Sequence, residues 1–295
     1  MRLHHHLSRR ALLRAALAAT SLAALPARLR ADSAYTGAFV DAHSHLKWDV
    51  GSTIDDLIQL YDAAGVSAVL LFADPWPIGT EARDRYPLRV QPFLAEGYAN
   101  ALHPHSSYMN PDGLAELLSG RYVVGLGEII CRHSPYQLGA AGGYASAPAN
   151  NVPADHPALL AAYGTAARFH APVNVHQEWF YAAELERALR AAPETTFVWA
   201  HAGHGPAAQV APLFRRNANL MADISARTPW IGPGTVLLRG DGSLEPAWAG
   251  LLEEFADRFM VGLDLFAPAH FAHGYVQQLV SYYRGLLGQL DPAVA

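Results

Sequence analysis

From residue 35 onward, short apolar runs of strand length alternate with longer stretches of helical apolar spacing. The runs 38–45, 66–73, 89–95, 121–128, 172–177, 196–202, 219–225 and 259–265 read as strands. Between them lie 52–64, 112–119, 156–170, 181–192, 206–217, 246–257 and 272–289. These repeat apolar residues every three or four positions, as in LLEEFADRF and VQQLVSYYRGLL, the period of one helix face. The segment 74–88, which begins DPWPIG, lacks that period and is expected to be irregular. Strands alternating with helices build parallel βαβ units. Eight such strands close a (β/α)8 TIM barrel. The expected fold is therefore α/β, a single barrel domain over 35–295. An open doubly wound sheet is the alternative. No GxGxxG follows the first strand, so a dinucleotide site has no support. Two long segments, 131–155 and 226–245, follow strand ends and in a barrel fall on the active-site face.

Ahead of residue 35 the pattern is of another kind. Paired arginines precede an apolar stretch, Ala15 to Leu25, followed by small residues and Pro26. A basic start, a short apolar core and a small-residue exit describe a secretory signal peptide. The stretch is shorter than the roughly 20 residues of a membrane span. Ser8-Arg9-Arg10-Ala11-Leu12-Leu13 resembles the bacterial twin-arginine signal. Residues 1–31 are thus expected to be a signal peptide, with cleavage between 27 and 34. The mature protein is expected to be exported, folded, to the periplasm and not to stay inserted in the membrane. A basic amphipathic helix is the alternative for this segment.

Loss of that segment changes the charge. The 295-residue chain has a formal net charge of −5. Residues 1–31 hold six arginines and no acid, so without them 15 basic residues face 26 acidic ones, about −11. A surface of that sign repels polyanions. Nucleic acid is therefore not expected as a partner, and a small-molecule substrate is. Cys131 is the only cysteine, so no internal disulfide forms.

The chemistry begins at VDAHSHLKWD, residues 40–49. Alternate side chains of a strand share a face. His43 and His45 therefore project together, their α-carbons roughly 6.5 Å apart, and both imidazoles reach one ion at a Zn–N distance of about 2.0–2.1 Å. Two ligands do not hold a catalytic metal, so other strands must add to them. RYVVGLGEI ends at Glu128, PVNVHQE reaches His176, TFVWAHAGH reaches His201 and FMVGLDLF reaches Asp264. In a closed barrel these strand ends meet at one mouth. Taken singly, each has a structural explanation: a hydrogen-bonded core histidine, a helix N-cap, or for Glu128 a pair with Arg132. Lys47 shares the face of the histidine pair and is a candidate contact for an anionic substrate. Arg132 and His133 follow Glu128 and are expected to line the mouth. His103 and His105 form a second HxH in a Pro-containing stretch that reads as a loop.

The ordered set HxH, His, His, Asp resembles the amidohydrolase superfamily. VGLGEI, WAHAG and DRFMVGLD look like its amidohydrolase-2 (amidohydrolase-related) group. Many binuclear members carry a lysine on the fourth strand, where this chain has Glu128, as TatD-like branches do. The resemblance implies that His43, His45 and Asp264 hold one divalent ion and that His176 and His201 hold a second, with Glu128 between them. The donor mixture suits zinc, with manganese or iron as alternatives. One or two ions fit, and two are favoured. The implied activity is hydrolysis of a C–N or C–O bond (amide, cyclic amide, ester or lactone) by a metal-activated water, with Asp264 as proton shuttle. Two alternatives stand beside it. One is non-oxidative decarboxylation of an aromatic or unsaturated acid around a single ion. The other is an exported barrel that binds a metal or ligand without turnover.

Overall fold

The computed structural model describes residues 34–47, 51–95, 102, 106–133, 152–231 and 233–294. The expected signal peptide, His103, His105 and most of the loop 131–155 lie outside the described residues. Eight parallel strands run in chain order: β1 Val40–Lys47, β2 Ala68–Asp74, β3 Val90–Leu94, β4 Gly125–Arg132, β5 Val173–Gln177, β6 Phe197–Trp199, β7 Leu220–Asp223 and β8 Phe259–Met260. Each is paired with the next. Among the described residues eight α-helices separate or follow them: α1 Ile54–Ala64, α2 Trp76–Arg85, α3 Pro111–Ser119, α4 Pro157–Arg168, α5 Ala182–Ala191, α6 Ala207–Arg216, α7 Pro246–Glu254 and α8 Tyr275–Leu287. The fold is the expected (β/α)8 barrel. Among the described residues no helix is long and apolar enough to cross a membrane.

The helix α2 corrects the expectation of an irregular 74–88. Its fully buried positions are Gly79 and Ala82, which add no apolar bulk to mark a helical period. Space decides this: a Cβ at Gly79 would lie 2.9 Å from the Cβ of Ala73 and 3.0 Å from that of Pro92. Three strands differ most from their expected bounds. The apolar run 121–128 begins too early, since Arg121 turns at φ 55 behind α3 and pairing starts at Gly125. Glu128 therefore sits within β4 rather than at its end. The strands β6 and β8 stop at Trp199 and Met260, where the chain turns to place side chains instead of continuing a ladder.

The barrel closes between β1 and the segment after β8. Ala42 N–H donates to Val261 O (2.9 Å), His45 N–H to Leu265 O (2.8 Å) and Asp264 N–H to His43 O (2.6 Å). Gly262 allows this approach, because a Cβ there would fall 2.6 Å from the Cβ of His43. Asp41 clasps the seam. Its Oδ1 accepts from the N–H groups of His43 (3.0 Å) and Leu263 (2.9 Å). Its Oδ2 accepts from Ser44 Oγ (2.6 Å) and Tyr61 Oη (2.5 Å), which adds α1 to the clasp. Burial pushes this carboxyl up to about 6 against those four donors.

Asp41→Asn keeps the shape but replaces one accepting oxygen with a donor, so two buried donors lose their acceptor. At about 1–3 kcal/mol per unsatisfied group, the loss is expected to be roughly 2–6 kcal/mol. Urea unfolding of mutant beside wild type measures it. A change within roughly 0.5 kcal/mol, the range of a surface substitution, would deny the clasp any role.

Candidate metal centre

The six residues expected at the mouth are all buried and meet there. His43 and His45 lie on one face of β1 with their Nε2 atoms 3.3 Å apart, and Phe72 packs edge-on beneath both rings at 4.6 and 5.3 Å. Glu128 Oε2 stands 3.8 Å from His43 Nε2 and 3.6 Å from His45 Nε2. Asp264 Oδ1 stands 3.6 and 3.5 Å from the same two nitrogens. Glu128 and Asp264 thus each present an oxygen to the same two nitrogens. Ligands of a tetrahedral zinc ion with bonds of about 2.0–2.1 Å are themselves about 3.3 Å apart. His43, His45 and Glu128 lie close enough together to share a divalent cation, and Asp264 stands beside the same histidine pair.

The electrostatics point the same way. Burial works against a charged His43, but Asp223 and Glu128 outweigh it and push this imidazole well above its ordinary range. Burial also opposes the charge of Asp264, yet His45 and His43 hold its carboxyl down at about 2. Burial opposes that of Glu128 as well, and His176 and His43 keep it well below the usual carboxylate range. The pocket is a place where anions persist and a positive charge is favoured.

A second group adjoins the first. Glu128 Oε1 lies 2.7 Å from His176 Nδ1 and 3.1 Å from His201 Nε2. These are hydrogen-bond distances, shorter than the spacing of the first group. Glu128 is thus held by the two histidines, not by Arg132. Arg132 instead forms a two-pronged pair with Glu184 at 2.9 and 2.8 Å and covers the ring of Tyr181. His133 stays at the site, its Nδ1 3.1 Å from His176 Nε2. Lys47 ends β1 in register with Asp74. Trp179 and Trp230 pack against the core.

The residues that position these groups carry no flag in the sequence reading. Asp223, at the end of β7, is fully buried. Its Oδ2 receives His43 Nδ1 (3.0 Å) and Asn174 Nδ2 (3.1 Å), and its Oδ1 the N–H groups of His201 (3.0 Å) and Ser225 (3.1 Å). A carboxylate on the second nitrogen of a ligating histidine fixes its tautomer and ring orientation. With Nδ1 turned to Asp223, Nε2 is the nitrogen that faces the cluster. His201 sits in an unusual turn: His201, Ala202, Gly203 and His204 all have positive φ, between 47° and 60°. Three of the four are not glycine, and left-handed backbone costs such residues roughly 1–2 kcal/mol each. Arg227 holds the turn from behind, donating to His201 O (3.0 Å) and Gly205 O (2.8 Å) with its guanidinium 4.4 Å over Trp248.

No protein-family model and no curated protein matches the chain. Solved structures do match its fold. An amidohydrolase from Burkholderia multivorans is 15% identical with a TM-score of 0.60, covering 87% of this chain and 94% of its own. Another structure of that protein, 14% identical, contains zinc. A probable 2-pyrone-4,6-dicarboxylic acid hydrolase from Acinetobacter baumannii is 12% identical with a TM-score of 0.57, covering 87% and 97%. A 2,6-dihydroxybenzoate decarboxylase bound to 2,6-dihydroxybenzoate is also 12% identical with a TM-score of 0.57, covering 88% and 95%. The chain shares its (β/α)8 barrel fold with these structures. At these identities the likeness concerns the fold, and the reaction must be argued from the site.

Arg227→Lys tests the turn. One ammonium cannot reproduce the fixed fork that serves both carbonyls, so one buried acceptor is left unpaired. A stability loss of about 1–3 kcal/mol is expected in denaturant unfolding. Unchanged stability would mean that the turn is held by other contacts.

Proposed function

We propose that the protein is a metal-dependent hydrolase acting on a C–N or C–O bond of a small molecule: an amide, cyclic amide, ester or lactone. The observation that carries this reading is the meeting of His43, His45 and Glu128 at ligand spacing, with Asp264 beside the same two histidines. These residues would hold the first divalent ion. Zinc suits the mixture of imidazole and carboxylate donors. When bound, it supplies Lewis acidity and brings water within reach of deprotonation near neutral pH. Glu128 Oε1, His176 and His201 are the donor set for a second ion, should His176 release the proton it turns toward Glu128.

The chain's own groups perform the remaining work. Asp264, ionised at neutral pH, takes the proton of the attacking water and delivers it to the leaving nitrogen or oxygen. Its backbone N–H is tied to His43 O, so its carboxylate keeps its station beside the two histidines. Asp223 and Ser225 orient His43 and His201. Burial of every donor keeps competing water from the cluster and strengthens its fields.

A second reading rests on the short contacts of His176 and His201 with Glu128. A second donor set closed by direct hydrogen bonds leaves one ion, the arrangement expected of a decarboxylase acting on an aromatic or unsaturated acid.

The test compares wild type with Asp264→Asn on a panel of esters, lactones and amides, with metal content measured alongside. The mutant keeps an oxygen ligand but not the base. It is expected to retain its fold and much of its metal while hydrolysis falls by at least about 100-fold. Full activity in the mutant would remove Asp264 from the proton path. Wild-type protein that hydrolyses nothing on the panel but releases CO2 from an aromatic acid would establish the second reading.

A further inference from the structure

On the side of His176 that faces away from Glu128 lies another group of donors. His133 Nδ1 is 3.1 Å from His176 Nε2 and 3.4 Å from Glu178 Oε1. His176 Nε2 is 3.5 Å from the same Glu178 oxygen. His204 Nδ1 borders them, 3.8 Å from Glu178 Oε2. Glu178 thus has three imidazole nitrogens around it, and all three lie beyond the 2.7–3.2 Å of an ordinary N–H···O hydrogen bond. The triangle His133–His176–Glu178 instead has sides near the ~3.3 Å expected between ligands of one ion.

Two further observations indicate what this group is for. His176 Nδ1 makes a 2.7 Å contact with Glu128 Oε1. With Nδ1 turned to Glu128, Nε2 is the nitrogen that faces the outer group. His204 is buried, with a side chain 1% exposed, and neither of its ring nitrogens has a hydrogen-bond partner. It is stacked on His201 at 4.7 Å by the left-handed turn, which directs it to Glu178. A buried imidazole placed in strained backbone without a partner is accounted for by a ligand on its nitrogen side. His133, with 12% of its side chain exposed, gives access from solvent.

We propose that a divalent transition-metal cation binds on the outer side of His176, between His133 Nδ1, His176 Nε2 and Glu178, with His204 as the adjacent fourth donor. Two to three imidazoles and one carboxylate favour zinc over magnesium or calcium, which prefer all-oxygen sites. This cation is separate from the one held by His43 and His45 and does not depend on the hydrolase reading. It takes the Nε2 lone pair and so fixes the Nδ1 proton on the Glu128 side. An ion here and an ion between His176 and His201 therefore compete for one imidazole.

Equilibrium dialysis of the full chain against Zn2+, after stripping with a chelator, counts the ions. Wild type is compared with His133→Ala, Glu178→Gln and His45→Ala, each checked for fold by circular dichroism. His133→Ala and Glu178→Gln are each expected to bind one zinc fewer than wild type. The double variant His133→Ala/Glu178→Gln should lose no more than either alone. His45→Ala should lose a different ion, so that combining it with His133→Ala removes both. If Glu178→Gln does not fold, His133→Ala decides, since its side chain reaches the surface. Because His176 freed by His133→Ala could pass to the inner set, the count is repeated in a His201→Ala background; His133→Ala/His201→Ala binding as much zinc as His201→Ala overturns the proposal, whether or not His45→Ala loses its ion.

Discussion

The site depends on the carboxylate of Asp223. It is wholly buried, and an uncompensated charge at that depth costs several kcal/mol. Donors reach it from β1 (His43), β5 (Asn174), the turn after β6 (His201) and its own strand's continuation (Ser225). Each is drawn inward to satisfy the same charge, and His43, Asn174 and His201 belong to elements that carry a candidate ligand. Burial opposes its ionisation, but His43 and His201 overcome this and hold its carboxyl below the usual range. Asp41 has the corresponding part at the seam, where it joins β1 to the chain after β8 and so fixes His43 relative to Asp264. The donors that face the mouth are held by a deeper layer of acids.

That arrangement explains why the strands end where they do. A regular ladder in β6 would carry His201 and His204 along the sheet, with successive side chains on opposite faces. The left-handed turn turns both rings to the same side and stacks them, and Asp223 and Arg227 hold it in place. Backbone strain of this kind persists only where surrounding contacts over-determine it, and it concentrates at functional sites. The same reasoning applies to Asp264, whose φ of 53° sets its carboxylate across from His43 and His45.

The barrel was legible because apolar runs of strand length alternate with helical spacing, and His43, His45, Glu128, His176, His201 and Asp264 because each follows or ends such a run. The rest was hidden for physical reasons. In α2 the buried positions are Gly79 and Ala82, which have no apolar bulk to mark the period. Glu128 was placed at the end of β4 because Tyr122, Val123 and Val124 extend the apolar run ahead of the paired residues. Asp223 follows the run LMA as Asp264 follows FMVGL, and the same rule applied to β7 would have found it. His204 is beyond such a rule: its direction comes from a left-handed turn, which alternation along a strand does not describe. Glu178 adjoins His176 in HQE, and only the fold shows that its carboxylate comes to lie among three imidazoles.

The central claim is that His43, His45, Glu128 and Asp264 surround a divalent ion. Anomalous diffraction from crystals of zinc-loaded protein, collected on both sides of the zinc edge, locates such an ion directly. The account predicts a strong peak at about 2.0–2.2 Å from His43 Nε2, His45 Nε2 and the facing carboxylate oxygens of Glu128 and Asp264. Zinc-loaded crystals with no peak between these four residues would contradict it.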